Sequence, residues 1–559
     1  MIITAAEYHL KNTTTAFIII HLFSCIRQYS MKKKLQVWLP LLLSVTMIVG
    51  MMLGYRMRDA MPGRSFFSLD RSYPLQEVLN LIKGKYVDEV KMNDLTDTAI
   101  NAILGKLDPH SVFISAEEVE GVNEDIAGNF FGIGVEFDLL EDTINVINLV
   151  PDGPSFKAGI KTGDKFIKVN DSVIAGRKLP TESIKKLLRG GNGSNVTVEI
   201  LRNTERKTII ITRGIIPVSS VDAAYMMTGE IGYIRLNKFS QVTYREFMEK
   251  LEELQKQGLK KLVLDLRGNG GGVLDQATEV ADEFLDGDKL ITYTEGSHFP
   301  KKEYRCKRQG LFETGKLVVL SDEGTASASE ILIGALQDWN RATIIGRRTF
   351  GKGLVQEQYD LSDGSALRLT VARYFTPVGR SIQRPYTNGQ KAYYDEINTR
   401  FHDGEVVNAD SVKNDTTKIF KTQNGKIVYG GGGITPDIFV AFDTIASGAF
   451  TLSKLYYKGS IGEFAYKYYL RNQDKLKGYK NAADFAGNFN LADQDWVFFG
   501  QQLKKDSISM ENIPQQEKNE ISIRIKSAIA RQIWRNQGYF QIINTQDDMI
   551  KKAVEALTK

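Results

Sequence analysis

The chain has 559 residues, 42% of them hydrophobic and 25% charged, with a formal net charge of +5 at neutral pH and two cysteines. So small a charge over this length, with no dense basic stripe, argues against a nucleic-acid-binding protein. Cys25 and Cys306 lie on opposite sides of an amino-terminal apolar run, which leaves no internal disulfide, and the length predicts three or four domains.

That apolar run, Val37 to Tyr55, is uncharged for 19 residues, and a bilayer span takes roughly 17–25. Lys32, Lys33 and Lys34 precede it and favour a cytoplasmic amino terminus, a bias that Arg56 and Arg58 weaken without reversing. No A-x-A cleavage site follows, so an uncleaved anchor is expected over 31–56. The expected protein is single-pass in the inner (cytoplasmic) membrane, with the chain after the run on the periplasmic side. Met31 reads as a natural start, with residues 1–30 as an upstream extension, and the run Phe17 to Ile26 is too brief to span.

A linker over 57–71 leads into a helical domain over 72–128, where Leu79, Leu81, Ile82, Ile100, Ile103 and Leu104 fall at amphipathic spacings. Leu107-Asp108-Pro109-His110-Ser111 follows the helices. Next, Phe131-Gly132-Ile133-Gly134-Val135-Glu136-Phe137 is a glycine-rich turn running into a strand. A helical stretch at Thr181 to Leu188 and strands at Val196 to Leu201 and Lys207 to Thr212 come after it. The segment 129–215 resembles a PDZ domain. The resemblance implies that backbone N–H groups at Gly132, Ile133, Gly134 and Val135 receive a peptide's C-terminus, with the peptide added as a strand alongside Val135–Phe137. Such a fold alone indicates binding and not catalysis.

Strands alternate with helices over 216–443, which predicts an α/β core. Lys261 to Leu266 is an apolar strand running into Arg267-Gly268-Asn269-Gly270-Gly271-Gly272. No Gly-Lys-Ser/Thr follows, so this is not a phosphate loop. Its glycines can turn backbone N–H groups into a site, as an oxyanion hole requires, although a structural turn has the same composition. Lys316 to Leu320 is a second buried strand, and a turn carries it into a helix over Ala328 to Asp338. Ser327 then sits at a helix N-terminus, with the Ala328 N–H as a natural oxyanion donor. After a third strand at Ala342 to Gly346, Lys352 stands between Gly351 and Gly353. The two-residue period of the next strand puts Lys352 and Gln356 on one face, where the amide can orient the amine. A serine is a poor nucleophile until its proton is removed, and a lysine kept neutral by burial or a nearby cation can remove it. Taken singly, each segment reads equally well as a close-packed helix start or a solvated loop lysine.

In order, Asp265 to Gly272, Thr325 to Glu330 and Thr349 to Gln356 resemble the carboxyl-terminal processing (tail-specific) proteases, Ser-Lys peptidases that carry a PDZ domain. The resemblance implies Ser327 as nucleophile, Lys352 as general base and Gln356 as the partner of the base. It places the oxyanion hole at Gly271, or next at Gly272, together with the Ala328 N–H. Where this chain has Gly270 the family often has proline. Tyr374 to Gly379 and Gly433 to Asp437 match the family as structural segments, and the resemblance gives His110 a structural role. Spacing leaves a Ser-His-Asp arrangement open, with His110, His298 and His402 as its candidates.

No histidine, cysteine or carboxylate cluster has metal-ligand spacing, so neither metal nor cofactor is expected. The segment 444–559 reads as a mostly helical extension that could serve as a lid, an oligomerisation element or an adaptor-docking domain. The expected protein is a membrane-anchored serine endopeptidase that binds protein C-termini and cuts nearby. Its alternative is a catalytically silent PDZ scaffold of the same fold.

Overall fold

The computed structural model describes residues 33–60, 74–443, 450–511 and 513–559. The expected extension over 1–30, with Cys25, and the part of the linker over 61–71 lie outside these residues. The chain divides into two units, Met1–Thr96 and Asp97–Lys559.

In the first unit a helix spans Lys33–Ala60, with Pro40 inside it. Among the described residues no helix is long and apolar enough to cross a membrane. The anchor expected over 31–56 falls partly outside them, because side chains in this segment are described only for Trp38 to Leu53. Those that are described include exposed Trp38, Leu42, Met47 and Met52. The helices Pro74–Lys85 and Met92–Leu104 follow.

The second unit is built around a six-stranded sheet in the order Val221–Met226, Ile231–Leu236, Lys261–Asp265, Lys316–Ser321, Thr343–Gly346 and Ile438–Phe439. The first pair is antiparallel and the rest are parallel. A parallel sheet must be covered on both faces, which is why its strands read as unbroken apolar runs. Leu262 and Leu264 pack towards the helices Thr243–Lys256, Leu274–Asp282 and Ala328–Asp338, whereas Val263 packs on the other side against Met549, Ile550, Ala553 and Leu557. The last helix, Asp548–Thr558, is therefore a layer of the core itself. Arg267 Nη1 ties its N-cap, donating to Asp547 at 2.6 Å.

An antiparallel sheet carries the other half of the site. Its central strand, Ala366–Phe375, pairs with Leu354–Asp360, Val112–Ile114 and Leu290–Gly296.

The PDZ-like region forms a separate sheet packed around Val146, Phe166, Val198, Ile184 and Leu188. The ladder between Asn129–Gly132 and Gly214–Pro217 zips its entry to its exit. Its strand Val135–Leu140 lies at the sheet edge, paired among the described residues only with Thr143–Leu149, so one side of its backbone has no strand partner there.

The remaining carboxyl-terminal helices enclose an aromatic core of Phe464, Phe485, Phe489 and Phe499. They brace the PDZ-like region: Tyr466 Oη donates to the Val146 carbonyl at 3.3 Å, and Arg531 Nη2 to Glu136 at 2.7 Å.

Candidate active site

Ser327 stands where the strand Lys316–Ser321 turns into the helix Ala328–Asp338. Its backbone, with φ 57° and ψ −117°, occupies a region that residues other than glycine rarely adopt. Such a strand–turn–helix elbow presents a nucleophilic hydroxyl above a sheet. The strain is held by specific contacts. The Ser327 N–H donates to Glu330 Oε2 at 2.8 Å, which is half of a capping box. Both the Ala326 N–H and Ser329 Oγ donate to the Asn269 carbonyl at 3.0 Å, fixing the elbow to the glycine loop.

Gly271 has φ 95°, and a Cβ there would stand 2.7 Å from Ser327 Cβ, so the loop lies directly against Ser327. The Gly271 N–H is already engaged, donating to Asn269 Oδ1 at 2.9 Å. Among the described residues, the Gly272 and Ala328 N–H groups have no acceptor. Of the two glycines expected at the oxyanion hole, the structure thus leaves Gly272 with the open donor, because the Asn269 side chain folds back onto Gly271.

Lys352 lies in a loop that passes under the same helix. Glu330, wholly buried, accepts from Ser327 N, Thr349 Oγ1 (2.5 Å), Gly351 N (2.8 Å) and Lys352 N (2.9 Å). Burial pushes its carboxyl up to about 7 against the pull of those four donors. Tyr374, also buried, donates its hydroxyl to the Ser327 carbonyl at 3.1 Å and to the Lys352 carbonyl. One carboxylate therefore gathers the two N–H groups, and one phenol the two carbonyls, of Ser327 and Lys352. Glu330 has no role in the expectations above, and Tyr374 only the structural one of the segment Tyr374 to Gly379. The Ser-x-x-Glu spacing of a capping box was the available signal for Glu330; nothing local marks Tyr374, 47 residues from Ser327.

The Lys352 amine has no hydrogen bond or ion pair among the described residues. Burial lowers its pKa to about 8, with the Arg368 cation lowering it further and the Glu330 and Asp108 carboxylates opposing. Ser327, Ala328, Gly271, Gly272, Lys352, Gln356 and Arg368 line one cleft of about 1530 Å³. Gln356 follows a β-bulge at Val355, and its Nε2 donates to Thr370 Oγ1 at 3.4 Å instead of meeting the lysine.

Among the described residues, no histidine lines the cleft that holds Ser327. His110 is pushed down to about 4 by burial and by the Lys352 cation, so it is neutral, and its Nε2 lies 2.9 Å from Tyr393 Oη. His298 and His402 are exposed and do not line the cleft.

In the PDZ-like region the Ile133 and Gly134 N–H groups have no acceptor among the described residues, and Gly134 has φ 71°. Gly132 and Val135 pair within the flanking ladders, opposite Gly214 and Leu149. Phe131, directly before this turn, and Arg189, which caps the helix Thr181–Leu188, already line the cleft that holds Ser327.

Residues 230–389 match peptidase family S41, residues 132–212 match the PDZ domain, and residues 451–535 match a family of unknown function. The "Probable CtpA-like serine protease" of Staphylococcus epidermidis is 34% identical over 344 residues, covering 59% of this chain and 69% of that protein. The carboxy-terminal-processing protease of Bartonella bacilliformis is 37% identical over 313 residues, covering 55% of this chain and 71% of that protein. Among solved structures, a photosystem II D1 C-terminal processing protease is similar at 28% identity and a TM-score of 0.34, covering 68% of this chain and 87% of that one.

Proposed function

The chain belongs to the carboxy-terminal-processing serine proteases of peptidase family S41, and we propose that it cuts peptide bonds with Ser327 as nucleophile and Lys352 as base. One observation carries this assignment. Glu330 and Tyr374 clamp the backbones of Ser327 and Lys352 together in one cleft, with the lysine buried and otherwise unbonded.

Neutral Lys352 takes the hydroxyl proton as Ser327 Oγ attacks the peptide carbonyl. The Gly272 and Ala328 N–H groups receive the oxyanion, aided by the N-terminal dipole of the Ala328–Asp338 helix. The ammonium then passes its proton to the leaving amine, and water releases the acyl group by the same steps in reverse. Gln356, on the wall of the same cleft, serves as the partner of the base.

Substrate enters by its C-terminus. The open Ile133 and Gly134 N–H groups fit a terminal carboxylate, and the free edge of Val135–Leu140 accepts an added strand. From there the peptide runs along the cleft, past Phe131, to Ser327. The uncharged run Val37 to Tyr55, within the helix Lys33–Ala60 and preceded by three lysines, supports a single-pass anchor in the inner membrane with the protease outside it.

A labelled peptide with a free C-terminus, and its C-terminal amide, test this function. Cleavage of the free acid is expected, with slower cleavage of the amide and none by Ser327→Ala or Lys352→Ala. Full activity in either variant would remove the dyad, and tight binding with the peptide left intact would make the protein a scaffold. Fractionation and protease accessibility of the full chain test the anchor.

A further inference from the structure

An amide side chain beside a base can present either of two ends, and only its carbonyl helps. We propose that Asp108, acting through Thr370, fixes the end of the Gln356 amide turned towards Lys352 and is thus a positioning residue for the base. This rests on the reading of Gln356 as the partner of Lys352.

Asp108 is buried and accepts from four donors. Its Oδ1 takes the His110 N–H at 2.7 Å, the Ser111 N–H at 2.9 Å and Thr370 Oγ1 at 3.0 Å, while Oδ2 takes Ser111 Oγ at 2.5 Å. The Thr370 N–H in turn donates to Ser111 Oγ at 3.1 Å.

The directions of these bonds follow from what each group can do. An ionised carboxylate only accepts, and a hydroxyl has one hydrogen and two lone pairs. Thr370 must therefore spend its hydrogen on Asp108 and can only accept from Gln356. The atom 3.4 Å from Thr370 Oγ1 is accordingly Nε2. With Nε2 committed there, the other end, Oε1, is left as an acceptor without a partner among the described residues, on a side chain that lines the cleft.

A neutral amine has two N–H groups and one lone pair. Donating an N–H to Oε1 leaves the lone pair for the Ser327 proton. A flipped amide would instead offer N–H groups to that lone pair and compete with the serine.

The path is short. Gln356 faces Thr370 directly in the ladder, and Asp108 to Ser111 lead into Val112–Ile114, which pairs with that same strand further along. The Asp-Pro-His-Ser turn after the amino-terminal helices thus reaches the base through one threonine hydroxyl.

The test compares kcat and KM for Thr370→Val, Thr370→Ser and Asp108→Ala, each alone and combined with Gln356→Ala, in the full chain. Thr370→Val and Asp108→Ala are expected to lower kcat by about tenfold with KM unchanged, and Thr370→Ser to restore it. In the Gln356→Ala background Thr370→Val should cost nothing more, because there is no amide left to orient, while Asp108→Ala keeps only its direct charge effect on Lys352. Wild-type kcat in Thr370→Val, or the same tenfold loss in both backgrounds, would overturn the relay. Full activity of Gln356→Ala alone would instead remove the reading of Gln356, a separate result from either.

Discussion

The two arms of the active site are held in different ways. Ser327 is fixed mainly from within its own segment: the turn, the helix start and Glu330, three residues on, create its strained elbow. Lys352 is fixed from a distance. Its loop hangs on Glu330, on Tyr374, on Gln383, whose Oε1 accepts the Gly353 N–H at 2.8 Å, and on Arg400, whose Nη1 donates to the Thr349 carbonyl at 2.8 Å. Arg384 adds to this, stacked between Phe350 and Tyr393 at 4.0 and 3.9 Å. A nucleophile needs a sharp presentation, which a short motif can encode. A lysine that must stay neutral needs a dry enclosure, and only converging segments can build one.

Substitutions can separate the arms. Glu330→Gln should have the largest effect, because its carboxylate holds backbone N–H groups of both arms at once. An amide in place of the carboxylate turns N–H groups onto backbone donors, and leaving buried donors unsatisfied costs about 2 kcal/mol. The expected result is at least a roughly hundredfold loss of kcat with a lowered melting temperature, checked by kinetics and calorimetry.

Gly271→Ala should break only the nucleophile's arm. The new Cβ would stand 2.7 Å from both Ser327 Cβ and the Ala326 carbonyl oxygen at a positive φ. A kcat loss of about a hundredfold is expected from displacing the nucleophile, with the pH dependence unchanged.

The base's arm is read by pH. Lys352 acts only when deprotonated, so kcat/KM should rise about tenfold per unit below its pKa and level off above about 8. Glu330, at about 7, works in the same direction, since protonation at lower pH weakens its hold on the four donors. Arg368→Gln removes a cation that holds the Lys352 pKa down, so the limb should move to higher pH. A limb that moves downward would contradict this electrostatic account.

The mildest change is Tyr374→Phe, which removes one hydroxyl shared by two carbonyls. A loss of about 1 kcal/mol in stability and a severalfold drop in kcat are expected. Their size measures how far Glu330 alone can keep the arms together.

Much of this site was legible in the sequence. Ser327 and Ala328 announce a helix start after a buried strand, and the glycine run after Asp265 marks a close backbone approach. The period of two placed Lys352 and Gln356 on one wall, but it could not foresee the bulge at Val355 or the bond from Gln356 to Thr370. The choice between Gly271 and Gly272 depended on where the Asn269 side chain turns, which composition does not reveal. The extension over 444–559 read as one helical block, yet its last helix belongs to the catalytic core, because the sheet's second face needed covering.

By itself, the sequence determined the PDZ and peptidase modules and their order and singled out Ser327 and Lys352 as the candidate pair, since these depend on local periodicity, glycine placement and residue chemistry. The tertiary structure alone decided which N–H groups stay open, which carboxylate and phenol join the two arms, and why none of the described histidines takes the lysine's place. Those outcomes depend on the hydrogen-bond partners of residues tens to hundreds of positions apart, and such partners are chosen only when the chain is packed.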